Sequence, residues 1–267
     1  MKVGIYQNYP QFGKTEENVG HALEELGKVD ADLMVLPELF NTGYQFVSEE
    51  EVFNLAEEIP AGMTCRAMTG LARKKGLFLV FGLAEKDGDR FYNSAAVIGP
   101  DGLIGKYRKI HLFDEERSFF SPGDTGFRVF DIGKARIGVM ICFDWWFPEA
   151  SRALAIMGAD IICHPANLVL PGCQQAMTTR SLENGVFSAT ANRIGVESRG
   201  GKAALTFTGK SQVLNCKGEF LTGLERDRIG ISTVEIDVTQ SRDKTIARQN
   251  NRFLDRRPEF YGSLTKK

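Results

Sequence analysis

The chain has few of the residues on which metal sites and disulfide frameworks depend. Its 267 residues include only three histidines, and none of its cysteines form a C-x-x-C pair. An odd number of widely spaced cysteines is not typical of a disulfide framework or of a thiolate zinc site. The scarcity of histidine likewise argues against a His-rich metal site. The five cysteines are Cys65, Cys142, Cys163, Cys173 and Cys216.

The chain also lacks a charge excess and a long apolar run. Its formal net charge is -1, without the basic surplus that marks nucleic-acid binding, so we expect no nucleic-acid partner. No apolar run approaches the roughly 20 residues that span a bilayer, and we expect no membrane association. The opening residues, MKVGIYQNYPQFG, are too polar for a signal peptide. These features together predict a cytoplasmic protein.

Strand and helix patterns alternate along the first third of the chain. Lys2–Gln7 is an apolar, β-branched run, and Thr15–Val29 follows with apolar residues at helical spacing. Leu77–Ala84 is another strand pattern, reached after a helical segment that ends at Gly76. This order predicts an α/β layer architecture with buried sheets.

Later segments mix hairpins with further helices. Two extended runs between Arg90 and Phe113 are joined by the turn sequence Pro-Asp-Gly, and a helix pattern runs from Pro148 to Gly158. We find no linker, repeat or low-complexity segment, so residues 1–267 are predicted to form one domain. The stretch 251–267 has no clear place in a core, and we expect it to pack at a subunit interface.

Three predicted strands are followed by a reactive side chain. Glu38 comes after an apolar strand pattern, Lys109 follows the second strand of a hairpin, and Cys142 follows the run RIGVMI. Functional sites of α/β sheets collect where strands leave the sheet at their carboxyl ends. An acid, a cation and a thiol that arrive there independently predict a reactive cluster more strongly than any one of them.

The residue types alone leave the roles open. Cys142 could be a buried cysteine that packs as a small apolar side chain, and Lys109 could be a solvated charge. A thiol nucleophile needs a base, and His111, His164 and Glu38 are all candidates. Glu38 follows four apolar residues, and burial there would raise its pKa toward neutrality, where a proton carrier works best.

Three ordered blocks resemble the signatures of the nitrilase superfamily, the thiol carbon-nitrogen hydrolases. The blocks are PELFNTGY, KYRKIHLFDEERSFFSPGD and CFDWWFPEASR. Flanking segments, among them HPANLVLP and RSLENGVFSATANRIG, are similar to family segments as well. The resemblance covers nearly the whole chain, from Lys2 to about Gly262, which makes it specific.

The resemblance implies a fold, an activity and a set of catalytic residues. It places the family's glutamate on Glu38, its lysine on Lys109, its cysteine on Cys142 and its second glutamate on Glu116. It implies a four-layer αββα sandwich that forms homodimers or higher homo-oligomers. The implied activity is hydrolysis of a small amide or nitrile through a cysteine thioester, which releases ammonia and a carboxylic acid without a metal or an organic cofactor.

Two alternatives share these residues. An N-carbamoyl amine hydrolase of the same superfamily would use the same glutamate, lysine and cysteine. A binding protein that keeps the fold without the reaction is the alternative outside enzymes.

The surroundings of the cysteine depart from many relatives. Phe143 stands where they have tyrosine and Trp146 where they have arginine, which leaves the substrate open. Asp144 is expected to satisfy backbone donors of the following turn. The side chains that we expect to line the substrate pocket are Tyr44, Phe143, Trp145, Trp146 and Asn167.

Overall fold

The computed structural model describes residues 1–266. The strands, in chain order, are β1 (Lys2–Gln7), β2 (Leu33–Val35), β3 (Phe78–Asp87), β4 (Arg90–Gly99), β5 (Gly102–Arg108), β6 (Val129–Asp131), β7 (Arg136–Val139), β8 (Ile161–Pro165), β9 (Phe187–Ala191), β10 (Val196–Glu197), β11 (Leu205–Thr206), β12 (Gln212–Leu214), β13 (Phe220–Gly223), β14 (Gly230–Glu235), β15 (Thr245–Ala247) and β16 (Asn250–Asn251). The α-helices are α1 (Thr15–Gly27), α2 (Glu49–Leu55), α3 (Met63–Lys75), α4 (Glu116–Phe119), α5 (Pro148–Ile156) and α6 (Cys173–Asn184).

Residues 1–266 form two six-stranded sheets. The strand order is β14-β1-β2-β3-β4-β5 in the first sheet and β13-β12-β9-β8-β7-β6 in the second. The centre of each sheet is parallel, β1-β2-β3 in the first and β7-β8-β9 in the second, and the outer pairs are antiparallel. Parallel strands need crossover connections, and the helices supply them. Two small hairpins, β10-β11 and β15-β16, lie outside the sheets.

The alternation of side chains along the strands stacks the two sheets face to face. In β1, Val3 and Ile5 lie in one core cluster with Ile161 of β8, whereas Tyr6 lies in a second cluster with Met68 of α3. Successive strand residues point to opposite faces, so each face of the first sheet has its own core. Helices α1 and α3 cover its outer face, and α5 and α6 cover the outer face of the second sheet. The architecture is therefore a four-layer αββα sandwich.

Most of the predicted elements are confirmed, with small shifts at their ends. The predicted strand Lys2–Gln7 is β1, and the predicted helix from Pro148 continues to Ile156, with Gly158 at φ +89° just beyond it. The short helix α2 was not predicted, because its seven residues are too few to show a helical period. In residues 1–266 no helix is long and apolar enough to cross a bilayer.

The sheet directions bring the carboxyl ends of four strands to one edge. β5 is antiparallel to β4, which is antiparallel to β3, so β5 runs in the direction of β2 and β3. Glu38 and Lys109 follow β2 and β5 in the first sheet, and Cys142 and Asn167 follow the adjacent parallel strands β7 and β8 in the second.

The end of the chain, residues 251–266, packs only partly on the sandwich. Phe253 packs against the main core, and the guanidinium of Arg152 lies 5.6 Å from its ring centroid. Beyond it, Leu254, Phe260 and Leu264 are 84%, 69% and 64% exposed. The predicted tail of residues 251–267 therefore contributes little to the core of this chain, and its last residue lies outside the described part.

Candidate active site

A buried lysine lies between two carboxylates at this edge of the sandwich. Lys109 Nζ is 2.7 Å from Glu38 Oε1 and 2.7 Å from Glu116 Oε1, and all three side chains are buried. Burial alone would lower the pKa of Lys109, but the charges of Glu116 and Glu38 outweigh it and hold that pKa above its ordinary value. Lys109 therefore remains a cation between the two carboxyl groups.

One carboxylate oxygen of Glu38 has hydrogen-bond partners among residues 1–266 and the other has none. Asn93 Nδ2 donates to Oε1 at 2.7 Å, the oxygen that also contacts Lys109. Oε2 is buried and has no hydrogen-bond partner among residues 1–266. Burial raises the pKa of Glu38, the charge of Lys109 opposes the rise, and the charge of Glu116 adds to it. A buried carboxylate with a raised pKa and a free oxygen can accept a proton.

The backbone at Glu38 fits closely against strand β3. Gly82 N donates to Pro37 O at 3.1 Å, and Phe40 N donates to Gly82 O at 3.1 Å. A Cβ at Gly82 would lie 2.4 Å from the Glu38 Cα, so only glycine allows this approach. Leu39 adopts φ +47°, which is uncommon for a residue with a side chain, so the chain turns directly after Glu38.

Cys142 opens the 3₁₀ turn Cys142–Trp146 at φ +40°. Its side chain is buried, and burial raises the pKa of the thiol well above 9.0, with a further increase from the charge of Glu38. Lys109 and the backbone N–H of Asn167 oppose this increase. The thiol is therefore protonated near neutral pH, and its use as a nucleophile requires a nearby proton acceptor.

Asp144 fixes the turn that carries Cys142, as expected from the sequence. Its Oδ2 accepts from Ile141 N and from the Tyr107 hydroxyl, both at 2.8 Å. Its Oδ1 lies 2.7 Å from His111 Nδ1 and accepts from His111 N at 3.2 Å. Because Tyr107 and His111 flank Lys109, this one buried carboxylate ties the lysine segment to the cysteine turn.

The two histidines that could serve as bases have other partners. His164 Nε2 lies 3.0 Å from the backbone oxygen of Cys142, and burial lowers the pKa of His164 to about 4. His111 is held by Asp144, and its ring stacks on Phe147 at 3.8 Å. Within residues 1–266 no hydrogen bond joins either ring to the Cys142 sulfur. Both histidine rings are therefore engaged by groups other than the thiol.

Glu116 is held by groups from two other segments. The Tyr44 hydroxyl donates to its Oε1 at 2.6 Å, and Phe113 N donates to its Oε2 at 3.2 Å. Burial, and then the charge of Glu116, raises the pKa of Tyr44 well above 10.0, so its phenol remains a neutral donor. The Tyr44 backbone N–H in turn donates to Glu197, which forms a buried ion pair with Arg193.

The sequence did not indicate that Asn93 contacts Glu38, or that the Arg193–Glu197 ion pair supports Tyr44. Asn93 lies on β4 and accepts a 2.8 Å hydrogen bond from Lys109 N through its backbone oxygen. The hairpin register could have revealed this proximity, because it places Asn93 beside the end of β5. Arg193 and Glu197 are far from the three blocks, and no local pattern marks them.

A small pocket adjoins the Cys142 thiol. Phe143, Trp145 and Asn167, three of the side chains expected at a substrate pocket, line it, and Phe113 and residues 168–170 complete its wall. Trp146 is 52% exposed and does not line it, in contrast to the prediction, because the 3₁₀ turn directs this indole outward beside Phe143 and Trp145.

Tyr44 lines a neighbouring pocket with Glu116, and Phe113 borders both pockets. Residues 1–266 contain no cluster of three metal-ligating side chains.

Comparison with known proteins identifies the family. The model of the family described as carbon-nitrogen hydrolase matches residues 2–244. The chain belongs to the carbon-nitrogen hydrolase family. A curated relative named nitrilase, from Pyrococcus abyssi (strain GE5 / Orsay), is 50% identical, with 98% of this chain and 99% of the relative covered. The predicted membership of the nitrilase superfamily is confirmed, and this carbon-nitrogen hydrolase is an enzyme.

Two further relatives of the chain are named amidases. An (R)-stereoselective amidase from a Pseudomonas species is 34% identical, with 99% of this chain and 94% of the relative covered. The N-carbamoylputrescine amidase of Solanum lycopersicum is 32% identical, with 94% of this chain and 88% of the relative covered.

Solved carbon-nitrogen hydrolase structures confirm the fold class. The enzyme from Helicobacter pylori G27 superposes with a TM-score of 0.89 at 29% identity, and the comparison covers 100% of this chain and 99% of that one. A glutamate-to-glutamine mutant of the amidase from Nesterenkonia sp. AN1 superposes with a TM-score of 0.81 at 25% identity and 99% coverage of both chains. That structure shows the result of Michael addition of acrylamide at its active site cysteine.

Proposed function

We propose that the protein hydrolyses the carbon–nitrogen bond of a small amide or nitrile through a thioester on Cys142, releasing ammonia and a carboxylic acid. The observation that carries this proposal is the free, buried Oε2 of Glu38 in a cluster with Lys109, beside a thiol that burial keeps protonated. The covalent chemistry at the active site cysteine of the Nesterenkonia amidase supports it.

The first half of the reaction forms the thioester. Glu38 takes the thiol proton as the Cys142 sulfur attacks the carbonyl carbon of an amide. Lys109 and the backbone N–H of Phe143 stabilise the oxyanion of the tetrahedral intermediate. Glu38 then returns the proton to the departing ammonia, and the acyl group remains on Cys142. A nitrile instead forms a thioimidate, which one water converts into the same thioester with loss of ammonia.

The second half releases the acid. Glu38 deprotonates a water that attacks the thioester carbon, and Lys109 stabilises the oxyanion again. The Cys142 sulfur leaves, recovers its proton from Glu38, and the carboxylic acid departs. Glu116 holds Lys109 in position through the 2.7 Å contact, and Tyr44 and Phe113 in turn fix Glu116. Every proton transfer in this scheme uses a side chain of the chain itself.

The proposed function is tested by an ammonia-release screen over small amides, nitriles and N-carbamoyl amines. We expect at least one amide or nitrile to release ammonia and, after acid quenching, to leave an acyl mass on the peptide that contains Cys142. Intact-protein and peptide mass spectrometry provide the readout. Ammonia release with the acyl mass on a different residue would contradict the proposal, and so would the absence of turnover across the panel.

The second candidate is an N-carbamoyl amine hydrolase. The similarity to the N-carbamoylputrescine amidase of Solanum lycopersicum favours it, and the same three residues would carry the reaction. Its products are distinct, because a carbamoyl substrate releases carbon dioxide and an amine together with ammonia. Measurement of carbon dioxide in the screen therefore separates the two candidates. Membership of the carbon-nitrogen hydrolase family argues against the alternative of a non-catalytic binding protein.

We expect Asn93→Leu to move the acidic limb of the kcat/KM profile to higher pH. Glu38 must be ionised to accept the thiol proton, so activity rises with pH through its pKa. The 2.7 Å hydrogen bond from Asn93 stabilises the ionised form, and its loss raises that pKa. Steady-state kinetics from pH 4 to 9 measures the shift. A lower plateau with an unmoved acidic limb would assign Asn93 a structural role only.

We also propose that the chain forms a homodimer or a higher homo-oligomer through the α5–α6 face and the tail of residues 251–267. Ile156 and Leu182 on these helices are 46% and 49% exposed, and Leu254 and Phe260 of the tail are more exposed still. Light scattering at micromolar concentration is expected to give at least twice the 29.6 kDa chain mass. Leu182→Glu should shift the mass toward the monomer, and a fully active wild-type monomer would contradict the proposal.

A further inference from the structure

Asn167 has a buried carboxamide without any partner. The residue is 2% exposed, and neither its Oδ1 nor its Nδ2 has a hydrogen-bond partner among residues 1–266. Burial of an unpaired donor and acceptor costs roughly 1–3 kcal/mol each, so such groups are rare unless a ligand satisfies them. The position therefore points to a ligand group with hydrogen-bonding capacity.

The backbone on both sides of Asn167 is fixed. Ala166 N donates to Ala191 O at 2.8 Å, and Leu168 N donates to the side-chain oxygen of Asn192 at 2.9 Å. Asn192 is itself held, because its Nδ2 donates to Gly209 O at 2.7 Å. A shift of this segment would break these bonds, so the carboxamide does not find a partner by moving its own backbone.

The carboxamide lies beside the thiol. Asn167 and Cys142 line the same pocket, and the backbone N–H of Asn167 lowers the thiol pKa. Phe113, Phe143 and residues 168–170 supply an otherwise apolar wall. In that wall Asn167 is the one side chain that offers both a strong donor and a strong acceptor.

Each sheet contributes a different pair of side chains to the site. Glu38 and Lys109 come from the first sheet, and they face the nitrogen and oxygen of the reacting group in the proposed reaction. Cys142 and Asn167 come from adjacent strands of the second sheet. In the proposed reaction, the remaining substituent of the scissile carbon then faces the pocket that Cys142 and Asn167 line.

We propose that Asn167 recognises a hydroxyl or N–H group on the atom next to the scissile carbon, an inference that rests on the proposed function. Its Oδ1 accepts from that group, and its Nδ2 donates to the lone pair of a hydroxyl. The substrates selected are 2-hydroxy or 2-amino amides and nitriles, or N-carbamoyl amines whose N–H occupies the same position. Plain alkyl amides of equal size are the disfavoured class.

The test uses two amides that differ only in this group, 2-hydroxypropanamide and 2-methylpropanamide. We expect wild type to show the higher kcat/KM with the hydroxy amide, and Asn167→Leu to reduce the ratio of the two kcat/KM values roughly tenfold or more. The variant should keep its melting temperature, because the side chain makes no hydrogen bond to the protein that leucine would lose. Leu170→Ala is the matched control in the same wall and should leave the ratio unchanged.

Binding to a Cys142→Ala background separates this inference from the proposed function. Calorimetry should show tighter binding of the hydroxy amide, and the double variant Cys142→Ala/Asn167→Leu should lose the preference. If wild type hydrolyses neither amide but still binds the hydroxy amide more tightly, the proposed function is contradicted and the proposed recognition by Asn167 is supported. Equal binding of the two amides, no binding of either, or an unchanged kcat/KM ratio in Asn167→Leu would overturn the inference.

Discussion

Cys142→Ala is expected to abolish turnover of every substrate that the wild type hydrolyses, by roughly 10⁴-fold or more. The substitution removes the sulfur on which the thioester forms. Glu38 and Lys109 form an ion pair with each other, and the nearby histidines have other hydrogen-bond partners, so none of them replaces the thiol. The change deletes a single sulfur atom from a position at φ +40° that alanine tolerates no worse than cysteine. Folding should therefore be nearly unaffected.

Ammonia release and melting temperature measured on the same samples check this expectation. Cys163→Ala is the matched control, because Cys163 is also fully buried, lies on the adjacent strand β8, and is not part of the cluster. The control should retain activity and lose only modest stability. Residual turnover by Cys142→Ala within tenfold of wild type, with no contaminating enzyme, would show that the nucleophile lies elsewhere.

The sequence predicts the candidate catalytic cluster better than it predicts the arrangement of the two sheets. Glu38, Lys109 and Cys142 each follow an apolar strand pattern, and strand ends in α/β sheets converge, so their proximity can be inferred from local patterns. The arrangement of the strands into two stacked sheets cannot, because the same alternation of strands and helices suits a single doubly wound sheet. Here the resemblance to a known family supplied the αββα order, and the packing of Val3 and Ile5 against the second sheet confirms it.

Contacts between distant segments account for what the sequence misses at the site. Asp144 satisfies the expected backbone donor at Ile141, but its bonds to Tyr107 and His111 depend on how the two sheets meet. The outward direction of Trp146 depends on the tight 3₁₀ turn, in which successive side chains point in directions that neither a strand nor an α-helix period gives. Local periodicity carries no information about either feature.

Glu38→Gln is expected to lower kcat/KM by roughly 10²–10⁴-fold, the usual contribution of a general base. Glutamine keeps the shape of the side chain, and its oxygen can still accept from Asn93 and Lys109. It cannot take the thiol proton. The same substitution also removes a negative charge that raises the pKa of the Cys142 thiol. The thiolate should therefore form at lower pH in the variant, although turnover falls.

These opposite effects distinguish a lost base from a damaged site. The pH dependence of Cys142 alkylation by iodoacetamide should move to lower pH in Glu38→Gln, because the thiolate then faces Lys109 with one carboxylate fewer beside it. Glu57→Gln is the control, since this carboxylate bonds to Thr64 and lies outside the cluster. It should leave both the alkylation profile and turnover unchanged. Wild-type turnover by Glu38→Gln would show that another group accepts the proton, and lost turnover with an unmoved alkylation profile would show that Glu38 acts on the fold rather than on the thiol.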